Sequence, residues 1–164
     1  MTTEDQVSIK DLQDVDIFAG LTDQELEPIA KACRQRAYQA GERCAAQGEV
    51  IDELRILNGG KDALEMRIEV APYTQTLGLT TLARGNVFAW SALVEPNVLT
   101  SSARCIEKAQ IICIKASDLQ RIIKERSSIE RVVMRNLAKI INYRLRDTRN
   151  QLVRLVAELI KQGK

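Results

Sequence analysis

The 164-residue chain contains no histidine. That excludes Ser-His-Asp and Cys-His catalysis, C₂H₂ zinc fingers and a proximal-His haem site. Aromatic residues make up only 4%, which leaves few rings to stack on bases or sugars. No two of the four cysteines, at 33, 44, 105 and 113, form a C-x-x-C pair. Neither a zinc knuckle nor a thioredoxin-type redox centre is therefore indicated. Each cysteine reads as a small buried hydrophobe, and no metal centre is expected. The polar, acidic opening from Met1 to Asp16 has no secretory hydrophobic region, and no apolar run approaches the ~20 residues that span a bilayer. A cytoplasmic protein with reduced thiols and no membrane partner is expected. Lys+Arg 24 against Asp+Glu 22 gives a net charge of only +2, so the total implies no polyanionic partner. No acid/base pair or activated nucleophile emerges from the spacing, and an enzyme is not expected.

What is present is a sequence of helix, β-rich middle and two further helices. Three capping boxes, each a Ser or Thr followed three residues on by Glu or Gln, predict helix starts at Thr22–Glu25, Ser117–Gln120 and Ser127–Glu130. The first helix is expected to run to about Arg36, with Leu26, Ile29, Ala30 and Cys33 on its buried face. Between Tyr38 and Ala116 glycines appear at 41, 48, 59, 60, 78 and 85. Short apolar stretches alternate with them: Leu54–Leu57, Leu64–Ile68, Gln75–Leu79 and Ile111–Ile114. Closely spaced short strands of this kind predict an antiparallel sandwich or barrel.

The last segment, from Ile129 to Gln162, has no interior Gly or Pro and would extend roughly 50 Å as a helix. A seam runs through Met134, Leu137, Ile141, Leu145, Thr148, Leu152, Leu155 and Leu159, with steps of three and four residues. Such a helix outreaches a small β-domain, and pairing with a second copy along Leu137, Ile141, Leu145, Leu152, Leu155 and Leu159 is the natural solution. The segment from Arg131 to Lys164 carries nine basic and two acidic residues, or +7, which leaves −5 on residues 1–130. A basic helix of this kind could meet nucleic acid or an anionic membrane. Because no aromatic residues accompany the charge, solvation of a coiled coil facing the acidic domain of its partner is the preferred reading.

These features resemble the cyclic nucleotide-binding domain of the catabolite-activator and FNR type (Crp/Fnr). Ile17-Phe18-Ala19-Gly20-Leu21-Thr22-x-x-Glu25-Leu26 resembles that family's opening. Gly41-Glu42 and Gly48-Glu49-x-x-Asp52-x-Leu54-x-Ile56-Leu57-x-x-Gly60 are similar to its strand–turn signature, with Asp52 as a turn residue. Gly85-Asn86-Val87-Phe88-Ala89-Trp90-Ser91-Ala92-Leu93 falls where the family's phosphate-binding cassette begins. The resemblance covers roughly residues 12 to 160. It implies a mainly β fold, a β-roll of the double-stranded β-helix or jelly-roll type, with an N-terminal helix and a long C-terminal dimerisation helix. The expected organisation is a tail over 1–15, the roll with its flanking helices over 16–126, and the dimerisation helix over 127–164.

Members that bind cyclic AMP or GMP carry a Gly-Glu pair early in the cassette, where the Glu holds the ribose, and a later Arg followed by Ser or Thr for the phosphate. The resemblance places Ala89-Trp90 at the first pair and Leu99-Thr100 at the second, with Ser101 and Ser102 following. Both charged contacts are missing. Each charge-assisted hydrogen bond is worth about 1.5–3 kcal/mol, so each loss costs roughly 10- to 150-fold in affinity. Arg104, the nearest replacement cation, reads as a water-facing strand residue. Trp90 either covers an emptied pocket, the preferred reading, or presents its ring to a ligand base. Thr148 either meets a nucleotide base, as a hydroxyl on this helix does in cyclic-AMP-binding relatives, or sets the register of the seam.

The expectation is therefore a dimeric, non-enzymatic, ligand-sensing regulatory module. It needs no resident cofactor, and its candidate effector is a cyclic nucleotide or another small anion held at Ala89, Trp90, Ser91, Ala92, Leu99, Thr100, Ser101 and Thr148. The second hypothesis is an interaction dimer with a vestigial pocket. The relatives' winged helix-turn-helix has no counterpart in this sequence, so sequence-specific DNA binding by this chain is not expected.

Overall fold

The computed structural model describes residues 6–163. Two four-stranded antiparallel sheets form the roll. One has the order β1 (Cys33–Tyr38), β8 (Ala109–Lys115), β3 (Glu53–Gly59), β6 (Val87–Phe88), and the other β2 (Arg43–Ala45), β7 (Ser102–Cys105), β4 (Asp62–Val70), β5 (Tyr73–Leu82). Helices α1 (Ile9–Gln13) and α2 (Asp23–Ala32) precede the roll, and α3 (Ala116–Glu125) and α4 (Ser127–Gln162) follow it. The mainly β fold with flanking helices and a long last helix is the expected one.

The run Ile111-Ile112-Cys113-Ile114 is continuously apolar because β8 is covered on both faces. Ile111 and Cys113 pack into the roll against Leu57, Leu82 and Phe88. Ile112 and Ile114 point to the helices, with Ile17, Phe18, Leu26, Ile29, Leu119 and Ile129. The roll thus has one core inside and a second between its outer face and the helices. β5 has one buried residue, Leu82, and is otherwise exposed or half-buried, so it reads as polar as it is.

Several expectations need correction. Helix α2 ends at Ala32, and Cys33 turns to an extended backbone (φ −81, ψ 153) to open β1. The buried Cys33 side chain kept the helical spacing because the strand leaves the helix without a loop. The Thr22–Glu25 box is formed in both directions, but neither Ser117 nor Ser127 caps a helix. Helix α3 is capped by Lys115 and α4 by Arg126, both without a side-chain hydrogen bond. The Ala116 amide donates instead to the Asp52 carbonyl at 2.8 Å, so a tertiary partner replaces the cap. Residues 1–5 of the expected tail lie outside the described residues. In its remainder Ser8 and Asp11 build a reciprocal capping box, and Val7, Leu12 and Val15 are buried in the core. Leu137 does not belong to an open seam: it is buried with Ile129 and Val133 against the 3₁₀ turn Asp16–Phe18 and its neighbours.

Helix α4 is 36 residues long, or about 54 Å. Its root is pinned by Asn136, whose side-chain amide donates to the carbonyls of Ile17 (3.2 Å) and Ala19 (2.9 Å). Gln151 donates to the Leu79 carbonyl on β5. From Leu152 to Gly163 every residue is exposed. Ile141, Leu145, Leu152, Leu155 and Leu159 are all exposed hydrophobics.

Candidate functional site

The cassette begins where β6 ends. Ala89 adopts a left-handed backbone (φ 57, ψ 29) and starts the short 3₁₀ helix Trp90–Leu93. For a residue with a Cβ that conformation costs roughly 1–2 kcal/mol. Asn97, also left-handed (φ 60), closes the far end, its amide donating to the carbonyls of Ser91 (2.9 Å) and Ala92 (3.2 Å). The strand that returns from the cassette is stitched to the Gly48–Ile51 turn. The Gly48 amide donates to Leu99 O (2.8 Å), the Leu99 amide to Glu49 O (2.9 Å) and the Ile51 amide to Asn97 O (2.8 Å). Gly48, at φ +84, supplies a turn that only glycine makes without strain.

Six predicted residues, Ala89, Trp90, Ser91, Leu99, Thr100 and Ser101, line one cavity with Ala45, Leu64, Phe88 and Ala103. Its volume is about 40 Å³, room for a water or two and far below the ~300 Å³ at which small-molecule pockets begin. No charged side chain lines it. Leu99 is 5% exposed and packs into the roll's inner core. Ala92 is not in the lining; it is buried in that same core. Thr148 is exposed on α4, one turn beyond Arg144, and does not line this cavity. Arg104 lies in β7 and points away from the cassette, its Nε 3.2 Å from Glu65 Oε2 and its Nη1 3.2 Å from the Gly41 carbonyl.

Trp90 is half-buried and packs against the helix-side core. The Arg144 guanidinium of α4 lies 5.8 Å from its ring centroid, within cation–π range. Burial pushes the Arg144 pKa down, and Asp147 and Asp16 act in the opposite direction. This pair joins the cassette directly to the long helix. Arg144 also borders a groove of about 510 Å³ between α4 and the roll, with Thr80, Thr81, Asn86, Lys139 and Tyr143. The sequence did not disclose the pairing, because Arg144 is one of nine basic residues on that segment and nothing in its spacing distinguishes it.

The connection into α4 is short. Arg126 alone, extended at φ −138 and ψ 98, separates α3 from α4. Ser128 Oγ donates to Glu25 Oε1 at 2.8 Å. The same carboxylate accepts from the Thr22 amide (3.0 Å) and hydroxyl (3.1 Å). The Thr22 amide, then Ser128 and the Thr22 hydroxyl, hold the Glu25 carboxyl below its ordinary pKa.

No helix among the described residues is long and apolar enough to cross a membrane. Residues 35–126 match the family profile of the cyclic nucleotide-binding domain. A CRP-like cAMP-activated global transcriptional regulator of Mycobacterium tuberculosis is 28% identical over 140 residues, covering 85% of this chain and 59% of the relative. The chain thus spans about three-fifths of that relative's length. The cyclic AMP receptor protein of Thermus thermophilus is 24% identical over 159 residues, with 90% and 70% covered. In fold, the chain is similar to a cyclic nucleotide-binding domain from Methylobacillus flagellatus KT (TM-score 0.79, 11% identity, 93% and 87% covered). It is also similar to the catabolite activator protein of Thermus thermophilus (TM-score 0.70, 22% identity, 91% and 72% covered). The profile match spans more than half of the chain, and the protein therefore belongs to the cyclic nucleotide-binding domain family, of the Crp/Fnr type.

Proposed function

We propose that this protein is a regulatory module that dimerises along α4 and reports the state of its cassette through that helix, without the charged grip that holds a cyclic phosphate. The observation that carries the reading is the contact between Trp90 at the cassette and Arg144 on α4. An effector that displaces Trp90 alters the hold of the roll on the helix, and Arg126, the single extended residue between α3 and α4, can absorb the rotation. Such an effector shifts the equilibrium only by its differential affinity for the two arrangements. Leu99 and Trp90 stand where related proteins that bind cyclic nucleotides place Arg and Glu. Two missing charge-assisted bonds amount to about 3–6 kcal/mol, roughly 100-fold at the least. The effector is then a small molecule gripped by the Thr100 and Ser101 hydroxyls and backbone amides, not a cyclic nucleotide bound through its charge.

The cavity of about 40 Å³ favours a second reading, an interaction dimer whose pocket is closed permanently. Trp90 is the sole tryptophan, so its emission reports on the cassette alone. Titration with cyclic AMP, cyclic GMP and a panel of nucleotides and small anions should change that emission saturably for one compound, and the same compound should change the sedimentation of the dimer. A flat response across the panel overturns the sensor in favour of the closed dimer. In the Trp90→Glu/Leu99→Arg double variant, restored affinity for a cyclic nucleotide is expected if only the charges are missing from the pocket.

A further inference from the structure

Three strands bring Cys44, Asp62 and Cys105 together inside the roll. One ligand atom from each, two sulfurs and a carboxylate oxygen, lie within 4.8 Å of one another. Asp62 and Cys105 face each other across the β4–β7 ladder. Cys44 reaches them because β2 is irregular between Arg43 and Ala45 in its pairing with β7. The irregularity leaves two successive residues, Cys44 and Ala45, both buried, where a regular strand would send one outward. The backbone of Cys105 is fixed on both sides, its amide donating to Glu42 O at 2.9 Å and its carbonyl accepting from the Gly41 amide at 2.7 Å.

Asp62 is 0% exposed. Its Oδ2 accepts from Cys44 Sγ at 3.3 Å, but Oδ1 is buried without a hydrogen-bond partner. A carboxylate oxygen unmatched in an apolar interior is costly and calls for an explanation. A redox-sensing thiol pair leaves Oδ1 unexplained. A cation does not.

We infer that Cys44, Asp62 and Cys105 form a binding site for a thiophilic divalent cation of the Zn²⁺ class. In a tetrahedral site with Zn–S of about 2.3 Å and Zn–O of about 2.0–2.2 Å, the ligand atoms stand roughly 3.5–3.8 Å apart. The observed cluster meets that with small side-chain adjustments. Three anionic ligands around a divalent ion leave one negative charge. Arg55 donates to the Cys44 carbonyl from this side, while its Nη2 lies 3.7 Å from Glu53 Oε2. Ala45, next to Cys44, and Ala103, whose carbonyl accepts from Cys44 Sγ at 3.4 Å, line the cassette cavity, so the ion staples the floor of the cassette. Spacing along the chain does not announce the site, because the ligands are 18 and 43 positions apart and only the sheet pairing joins them.

The test is a Co²⁺ titration of the reduced, chelator-treated full chain. One equivalent should produce a near-ultraviolet thiolate-to-cobalt charge-transfer band, and Zn²⁺ should abolish it by competition. Cys105→Ser and Asp62→Asn should each weaken binding by more than about 100-fold, beyond the 10- to 100-fold of an outer-shell change. Cys33→Ser should leave the band intact. Hydrogen exchange with and without Zn²⁺ locates the site in the unmodified chain even if a variant fails to fold: the amides of Arg43–Ala45 and Ser102–Cys105 should be protected. A folded, reduced chain with no band, a band undiminished in Cys105→Ser, protection confined to other strands, or a Cys44–Cys105 disulfide in the purified protein would each overturn the assignment.

Discussion

Replacing Leu152 by Asp tests the pairing of α4 with the least disturbance to the protomer. Leu152 is 59% exposed and lies beyond Gln151, the residue that bonds β5, so the substitution leaves the roll and its core intact. Full burial of a leucine is worth about 1.5–3 kcal/mol, so covering its exposed share in a dimer gives about 1–2 kcal/mol per copy. A two-fold interface loses that twice, about 2–4 kcal/mol, before any repulsion between the two introduced carboxylates. The dimer dissociation constant should therefore rise by roughly 30- to 1,000-fold. Sedimentation equilibrium across a concentration series reads this directly, and circular dichroism verifies that the roll remains folded. Leu137→Asp provides the contrast: Leu137 is buried in the protomer's own core, so that variant should lose stability, not merely its partner. If the wild type sediments as a monomer, or Leu152→Asp keeps the wild-type constant, the reasoning fails.

Three further outcomes are expected. Asn136→Ala leaves the Ile17 and Ala19 carbonyls without their donor and should destabilise the protein by about 1–3 kcal/mol in urea denaturation. Gly85→Ala should cost clearly more than the ~1–2 kcal/mol of left-handed strain expected for Gly48→Ala. A Cβ at 85 would sit 2.3 Å from the Asp14 carbonyl oxygen, whereas one at 48 meets nothing within 4 Å; thermal melts compare the two. Because the folded pKa of Glu25 is depressed, its contribution is complete above the ordinary carboxylate range and fades as pH falls through the folded value. The stability gap between wild type and Glu25→Gln should be constant near neutrality and shrink in acid, which denaturation at several pH values measures.

The fold was legible because its signals are local. Glycines at tight corners, the double-sided run in β8 and the uninterrupted last helix each write one element into a few consecutive residues. The boundaries were less so. Cys33 keeps its helical phase while already in a strand, and the first amide of α3 finds the Asp52 carbonyl across space, although Ser117 carries the capping motif in sequence. At the candidate site the six residues lining the small cavity fall in two runs of three, 89–91 and 99–101, and could be located by resemblance. Arg144 lies 54 positions beyond Trp90 and reaches it only because α4 packs back along the roll. The Cys44–Asp62–Cys105 cluster was illegible for the same reason, since sheet pairing and an irregular strand, not spacing, assemble it.

The central claim is that the roll keeps its family's architecture while its cassette has exchanged a charged grip for an apolar plug. Isothermal calorimetry of the wild-type protein with cyclic AMP is the most direct measurement of it. No saturable heat should appear below about 1 mM, as expected when two charge-assisted bonds are missing from a site that would otherwise bind in the micromolar range. A stoichiometric isotherm with a dissociation constant under about 100 µM would contradict it, because an affinity of that order, about 5–6 kcal/mol, requires polar partners that Trp90 and Leu99 do not provide.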